Sequence, residues 1–595
     1  MPVLPSTGVT FPKLVVHASV AGLYGGLVVA LLLALGNPGA ALRGGAGVSL
    51  LVVIAGFAIA TGLFWPLLYA GLRFFARHPL RLPWLSLRYI VGFHAVNTAA
   101  ILTAGWVMLS DNRAALGPRD AERLASACLW LSLAWLVAAA ITIVPRLRRR
   151  AWMQAAAGAT AVVALVMAAS GGIPAPAAEA LVTGSLSPPP GGAPGAGPPP
   201  EGMGPIPRAS SELRSQGPGG AAPAPRRDAA AHRLLLLNFD GADLDSILTM
   251  HAQGRLPAFS HIIREGASGR LVSLRPCVAP VTRASLATGM LPYRHGVRSS
   301  RAVSVLRRDP WLEVTPPGIG FEVLLAPVLA RRFLGVSDRT TPALWEIGGR
   351  MGFAMASDGW DTDLDTASRA VPGTGPKWFA DLLDPEALRL QEAESRALVA
   401  EVARAAAADE EVIGAMRRAR EGDDRRIAAF SFPGLDRVAH VFLRYARPAE
   451  FGNVSERDID LFGPVLERYY QRIDAIVGES LAQGPGDTLV LVTSTHGIEP
   501  MTLGARFLKE MTRGGPWSGV HDRGPSGFLF ALGPNVRRGQ QFGKGSLADV
   551  VPSALYALGL PVARDSDGTI LTGLFSEAYT ASHPVTVVGS YGKAR

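Results

Sequence analysis

The sequence predicts an α-helical transmembrane bundle followed by an α/β domain whose largely parallel sheet is flanked by helices. Three observations carry this expectation. Long uncharged apolar runs fill residues 1–170, and a stretch dominated by Pro, Gly and Ala covers 171–232. From residue 233 to 595, short apolar strand-like runs alternate with helical patterns, the rhythm of a parallel sheet covered on both faces. At 595 residues with 48% hydrophobic composition, the chain is long enough for more than one domain.

Five apolar segments, 14–35, 48–72, 85–109, 124–144 and 151–169, approach the span of about 20 residues that crosses a bilayer as a helix. The formal charge of +10 resides entirely in residues 1–230, and the remainder is formally neutral. That excess reads as topology rather than as a nucleic-acid surface, and no basic patch with interleaved aromatics is present. Arginines 73, 77, 81 and 88 follow the second segment, and arginines 146, 148, 149 and 150 follow the fourth. Loops rich in Lys and Arg stay cytoplasmic, so the N-terminus with Lys13 is expected inside. Five spans then place everything after residue 170 outside. His94 and Asn97 are the polar residues of the third segment; they bond a neighbouring helix or line a polar pathway. The Pro/Gly/Ala stretch cannot bury enough apolar surface to fold and reads as a linker holding the outer domain off the bilayer. Cys128 and Cys277 are the only cysteines and form no Cys-x-x-Cys pair, so neither a disulfide nor a structural zinc motif is expected.

In the outer domain, strand-like runs lead into residues of metal-ligand type. Leu234-Leu-Leu-Leu-Asn-Phe239 runs into Asp240, Ile427-Ala-Ala-Phe-Ser-Phe432 leads to Asp436 and His440, and Thr488-Leu-Val-Leu-Val-Thr-Ser494 leads to His496. Ligands bind beyond the carboxyl ends of the strands in open α/β sheets, so acids and imidazoles delivered there by separate strands are expected to meet. Between them lie helical patterns at about 244–265, 392–420 and 462–481, a strand candidate at 528–532, and a closing helix at 547–558.

These pieces, with Pro280-Val-Thr-Arg-Ala-Ser-Leu-Ala-Thr-Gly289, Pro292-Tyr-Arg-His-Gly296, Gly434-Leu-Asp-Arg-Val-Ala-His440, Thr495-His-Gly497 and Gly519-Val-His521 in this order, resemble the alkaline phosphatase superfamily. The branch they look most like is the type I phosphodiesterase/nucleotide pyrophosphatase group. The resemblance implies a metal site of Asp436, His440 and His521, and a second of Asp240, Thr282 and His496. It further implies that Thr282 is the nucleophile, and that two divalent ions of zinc type are the cofactors. Elementary chemistry agrees: metal coordination activates a hydroxyl, and two ions clamp the oxygens of an in-line displacement at phosphorus. Asp436 and His440, four apart, share one face of a helical turn. Thr282 precedes a helical stretch whose N-terminus favours negative charge.

Two positions depart from the pattern. Thr495 stands where relatives carry an Asp, which removes a charged ligand from the second site; Asp358, Asp361 and Asp363 are candidates to replace it. Ser299, Ser300 and Arg301 occupy the region where nucleotide-cleaving relatives place an Asn. Taken singly, Asp240 and Thr282 also suit helix caps, His295 suits a structural role, His251 and His261 a helix surface, and Arg283 either a bound anion or solvent. The expected function is a membrane-anchored, outward-facing, metal-dependent phosphoric ester hydrolase, with a lipid- or envelope-linked phosphate ester as one form of its substrate. The alternatives are a lipid-donor transferase of phosphoethanolamine or glycerophosphate type, and a non-catalytic descendant that binds a phosphorylated ligand. A sulfatase is disfavoured because Cys277-Val-Ala-Pro280 does not fit the Cys/Ser-x-Pro-x-Arg setting.

Overall fold

An unbroken apolar strand has to be covered on both faces, and the run after Arg233 meets that requirement in the interior of a seven-stranded sheet. The strands are β1 (Arg233–Phe239), β2 (Ala267–Val272), β3 (Ala354–Asp358), β4 (Arg425–Phe432), β5 (Thr488–His496), β6 (Ser526–Leu532) and β7 (Gln540–Ser546), in the order β7-β2-β6-β5-β1-β4-β3. The computed structural model describes residues 11–41, 46–75, 87–143, 233–307, 310–315, 326–362, 376–420, 425–452, 454–483, 486–502 and 517–593. Within the sheet only β6 runs against its neighbours β2 and β5; the other pairings are parallel. This bears out the largely parallel α/β expectation.

Side chains of β1 alternate between two cores. Leu237 and Phe239 enter a cluster with the helices Ala393–Arg420 and Pro464–Gln483. Leu234 and Leu236 enter the opposite cluster with Val550–Ala557. The period of two that strands impose thus serves a sheet sandwiched between helical layers.

Four N-terminal helices coincide with the first four apolar segments: α1 (Phe11–Gly36), α2 (Ala46–Phe75), α3 (Leu87–Asp111) and α4 (Pro118–Ile143). Gly22 and Gly26 let α1 and α2 approach closely, since a Cβ at Gly22 would lie 2.6 Å from the Phe57 carbonyl oxygen and one at Gly26 2.8 Å from Ile54 Cα. Among the described residues, two stretches, Ala18–Gly36 and Gly47–Phe64, are long and apolar enough to cross a membrane. Against the expectation of five spans, the described residues hold two such stretches. The expected fifth segment, the two arginine-rich loops and the linker lie outside the described residues, as do the side chains of His94 and Asn97.

The outer domain meets the ends of the N-terminal helices. Asn37, just beyond α1, is fully buried. Its Nδ2 donates to the Val314 carbonyl at 2.6 Å, and its Oδ1 accepts from the backbone N–H groups of Glu313 and Val314 at 2.9 and 3.0 Å. Val303 and Val305 of the hairpin Arg301–Val305/Leu329–Phe333 pack with Leu33 and Phe57. The backbone N–H of Ala114, after α3, donates to the Arg275 carbonyl at 3.1 Å. Direct contact wins because both surfaces are apolar around a few fully matched hydrogen bonds.

Candidate metal centre

The register of the sheet brings the site together. Asn238 lies opposite Ser431 on one side and Thr493 on the other, so β1, β4 and β5 end at one level. Asp240 follows β1, Asp436 lies in the first turn of the helix Gly434–Ala446 after β4, and Thr495 and His496 end β5. Gly241 takes φ +74°, and a Cβ there would lie 2.6 Å from Asp436 Cα. A side chain at 241 would therefore push β1 and the Asp436 helix apart.

Asp436, His440 and His521 converge as expected, with one ligand atom from each lying within 4.8 Å of the others. Asp436 Oδ2 is 3.6 Å from His440 Nε2. His440 Nδ1 is 2.7 Å from the Gly519 carbonyl oxygen; a carbonyl only accepts, so Nδ1 carries the proton and Nε2 presents its lone pair. This is how a carbonyl partner orients a ligating imidazole. Asp436 Oδ1, His496 Nε2 and His521 Nδ1 are buried without a hydrogen-bond partner. Buried polar atoms are almost always satisfied, and unpartnered atoms converging from three elements fit a divalent cation as their shared partner. Oxygen and imidazole donors suit zinc. Burial pushes the Asp436 carboxyl up, but His440, His496, His521 and Arg283 outweigh it and hold it at about 2.

The second expected site is arranged differently. Asp240 is fully buried, and its Oδ2 pairs with Nε of Arg283, which is also buried. Its Oδ1 accepts from Asn238 Nδ2 at 2.9 Å and from Thr495 Oγ1 at 2.7 Å. Burial raises the Asp240 carboxyl, yet Arg283, His496, Thr495 and Asn238 together keep it below the usual range. Arg283 is thus neither solvated nor free for an anion: it is the cation on Asp240, and its Nη1 donates to the Thr362 carbonyl at 2.7 Å.

Thr282 lies deeper than expected. Pro280, suited to the first turn of a helix, starts the helix at Ala279, so Thr282 falls inside it. Thr282 is fully buried, and its Oγ1 lies 3.3 Å from the carbonyls of Val278 and Ala279 and 3.2 Å from Thr495 Oγ1. At the mouth of this helix, Val278, Ala279 and Pro280 line a cavity of about 570 Å³ that also exposes Asp436, His440 and His521. Thr282 is not among its lining residues.

No carboxylate replaces the expected Asp before His496 among the described residues. Asp358 is exposed and accepts from Gly359 N–H. Asp361 lines the cavity and accepts from Ser337 N–H at 2.8 Å, and Asp363 lies outside the described residues. Ser300 and Arg301 line the cavity, while Ser299 Oγ bonds the Arg301 carbonyl. His295 is structural as expected: buried, 2.9 Å from Ser285 Oγ, and held at about 3 by burial and Arg339. His251 is bonded to Ser260 Oγ and His261 is exposed. His496 instead approaches Cys277, which forms a second group with His496 and His521 whose ligand atoms lie within 4.8 Å. Sequence reading missed Cys277 because its partners lie more than 200 residues away.

A family model described as type I phosphodiesterase/nucleotide pyrophosphatase matches residues 234–551, more than half of the chain. The chain belongs to this family. The type I phosphodiesterase/nucleotide pyrophosphatase family supports a phosphoester hydrolase at the level of reaction class, and the match spans Asp436, His440 and His521 and the Cys277 and His496 positions. Solved structures similar to the chain include murine ectonucleotide pyrophosphatase/phosphodiesterase 5, inactive and in complex with AMP. It is 13% identical, with TM-score 0.35, covering 58% of this chain and 100% of that one. The human counterpart has the same identity and coverages, with TM-score 0.33. No curated protein matches by sequence.

Proposed function

We propose that this protein is a membrane-anchored, metal-dependent phosphoester hydrolase whose domain faces away from the cytoplasm. The observation that carries the reading is the convergence of Asp436, His440 and His521 at the lining of the cavity, with unpartnered buried atoms on Asp436 and His521. These three residues would hold a divalent ion, which polarises a phosphoryl oxygen when bound. Arg301 at the same cavity adds positive potential for the ester's anionic oxygens. The outward orientation is supported by the contacts that the end of α1 and the loop after α3 make with the domain, together with the cytoplasmic preference of arginine-rich sequence after the second and fourth apolar segments. Five spans, with the N-terminus inside, complete the anchor in this reading.

Thr282 is the nucleophile the family resemblance implies. Its hydroxyl and the Asp240–Arg283 pair favour a second reading, a descendant that binds a phosphorylated ligand without turnover. One experiment separates the two. Full-length protein in detergent is assayed for bound metal and for cleavage of a generic phosphodiester, as wild type, Asp436→Asn and Thr282→Val. Metal-dependent turnover lost in both variants supports hydrolysis through Thr282. Turnover lost only in Asp436→Asn keeps the hydrolase and removes Thr282 from the chemistry. Bound metal without turnover supports the binding reading, and absence of metal refutes the metal centre.

A further inference from the structure

The Asp240 side of the site offers a second ion little: its carboxylate is already neutralised by Arg283, and Thr495 supplies no charge. On the other side of His496 the chemistry is different. Cys277 is 3% exposed, and its Sγ lies within 4.8 Å of ligand atoms of both His496 and His521. His496 is fully buried and its Nε2 has no partner; Nδ1 faces the Gly497 carbonyl at 3.1 Å, so Nδ1 carries the proton and Nε2 presents its lone pair. The loops carrying Cys277 and His521 are tied together by Arg275, whose Nη2 donates to the Arg523 carbonyl at 2.9 Å. A buried thiol beside orphaned imidazole nitrogens is a soft donor set. Thiolate and imidazole select zinc-like ions over magnesium or calcium.

We propose that Cys277 is a metal ligand, binding a soft divalent ion together with His496 and His521. This rests on the metal-dependent reading above but relocates the ligands around His496, so that no ion has to displace Arg283 from Asp240. Ligation takes the thiolate and releases the Cys277 proton to solvent. His521 belongs to both groups, so the thiol side and the Asp436 side are joined through one imidazole.

Cobalt(II) reports thiolate ligation directly. Full-length protein in detergent, stripped by a chelator and kept reduced with a phosphine, is titrated with Co²⁺ and followed by absorption. The expected result is a near-ultraviolet thiolate-to-cobalt charge-transfer band that is lost in Cys277→Ser and kept in Cys128→Ser. Visible ligand-field bands persist in Cys277→Ser through Asp436 and His440. Unchanged elution and circular dichroism of Cys277→Ser show that it folds. Cobalt bound without the charge-transfer band overturns the role of Cys277 alone. No cobalt bound by the wild type overturns the metal centre and this inference with it.

Discussion

Replacing Thr495 by Asp restores the acid that relatives carry, and the structure says what this costs before any ion arrives. Thr495 Oγ1 lies 2.7 Å from Asp240 Oδ1, and both residues are fully buried. A carboxylate at 495 would sit about 3 Å from that of Asp240. At an effective dielectric constant of about 20 this repulsion amounts to about 5 kcal/mol, and Arg283 already serves Asp240 alone. The metal-free variant is expected to take up a proton between the two acids. Its stability should therefore fall by several kcal/mol as the pH rises from about 5 to 8. A divalent ion bridging the two acids should reverse this, contributing about 2.7 kcal/mol at a hundredfold excess over its dissociation constant. Tryptophan-monitored urea unfolding of the full chain in detergent, with chelator and then with zinc, measures both effects. Equal stability of Thr495→Asp and wild type in chelator at pH 8, with the same zinc response, would refute the placement of Thr495 against Asp240.

Gly241→Ala is expected to lower metal content, because its Cβ would meet Asp436 Cα at 2.6 Å where φ is +74°; metal analysis after gel filtration checks it. Asp409, which accepts from Gly434 N–H and Tyr469 O–H, is raised by burial to about 7. Its folded form holds the proton more tightly than the unfolded chain, so its contribution is complete below about pH 4 and is lost as the pH rises through 7. A shift of about three units corresponds to roughly 4 kcal/mol, and Asp409→Asn should remove that part of the slope in urea unfolding between pH 4 and 8. Asn37→Leu strands the backbone groups of Glu313 and Val314, at about 1–3 kcal/mol each. Hydrogen exchange should then speed up at those two amides while the β1 amides stay protected.

The strand-end positions of Asp240, Asp436, His440 and His496 were legible from the residues, because an apolar run ending in an acid or imidazole is a local pattern, whereas His521 came only with the family resemblance. The parallel sheet followed from the same runs, and Asp436 and His440 were paired by helical spacing alone. Tertiary structure decided the rest. Thr282 reads as a helix-mouth residue only if the helix starts after it; Pro280 starts it at Ala279 and turns the hydroxyl toward Thr495. Arg283 looked free in sequence, but burial beside Asp240 makes the two opposite charges each other's main partner. The docking of the domain on α1 rests on Asn37 meeting a segment 277 residues away, and Cys277 meets His496 only because β5 and the loop before Ala279 end at one edge. The sequence by itself determined which residues sit at strand ends, since burial and periodicity act locally. Which of them share a charge, a proton or an ion was decided by packing, because those interactions depend on distances that only the folded chain sets.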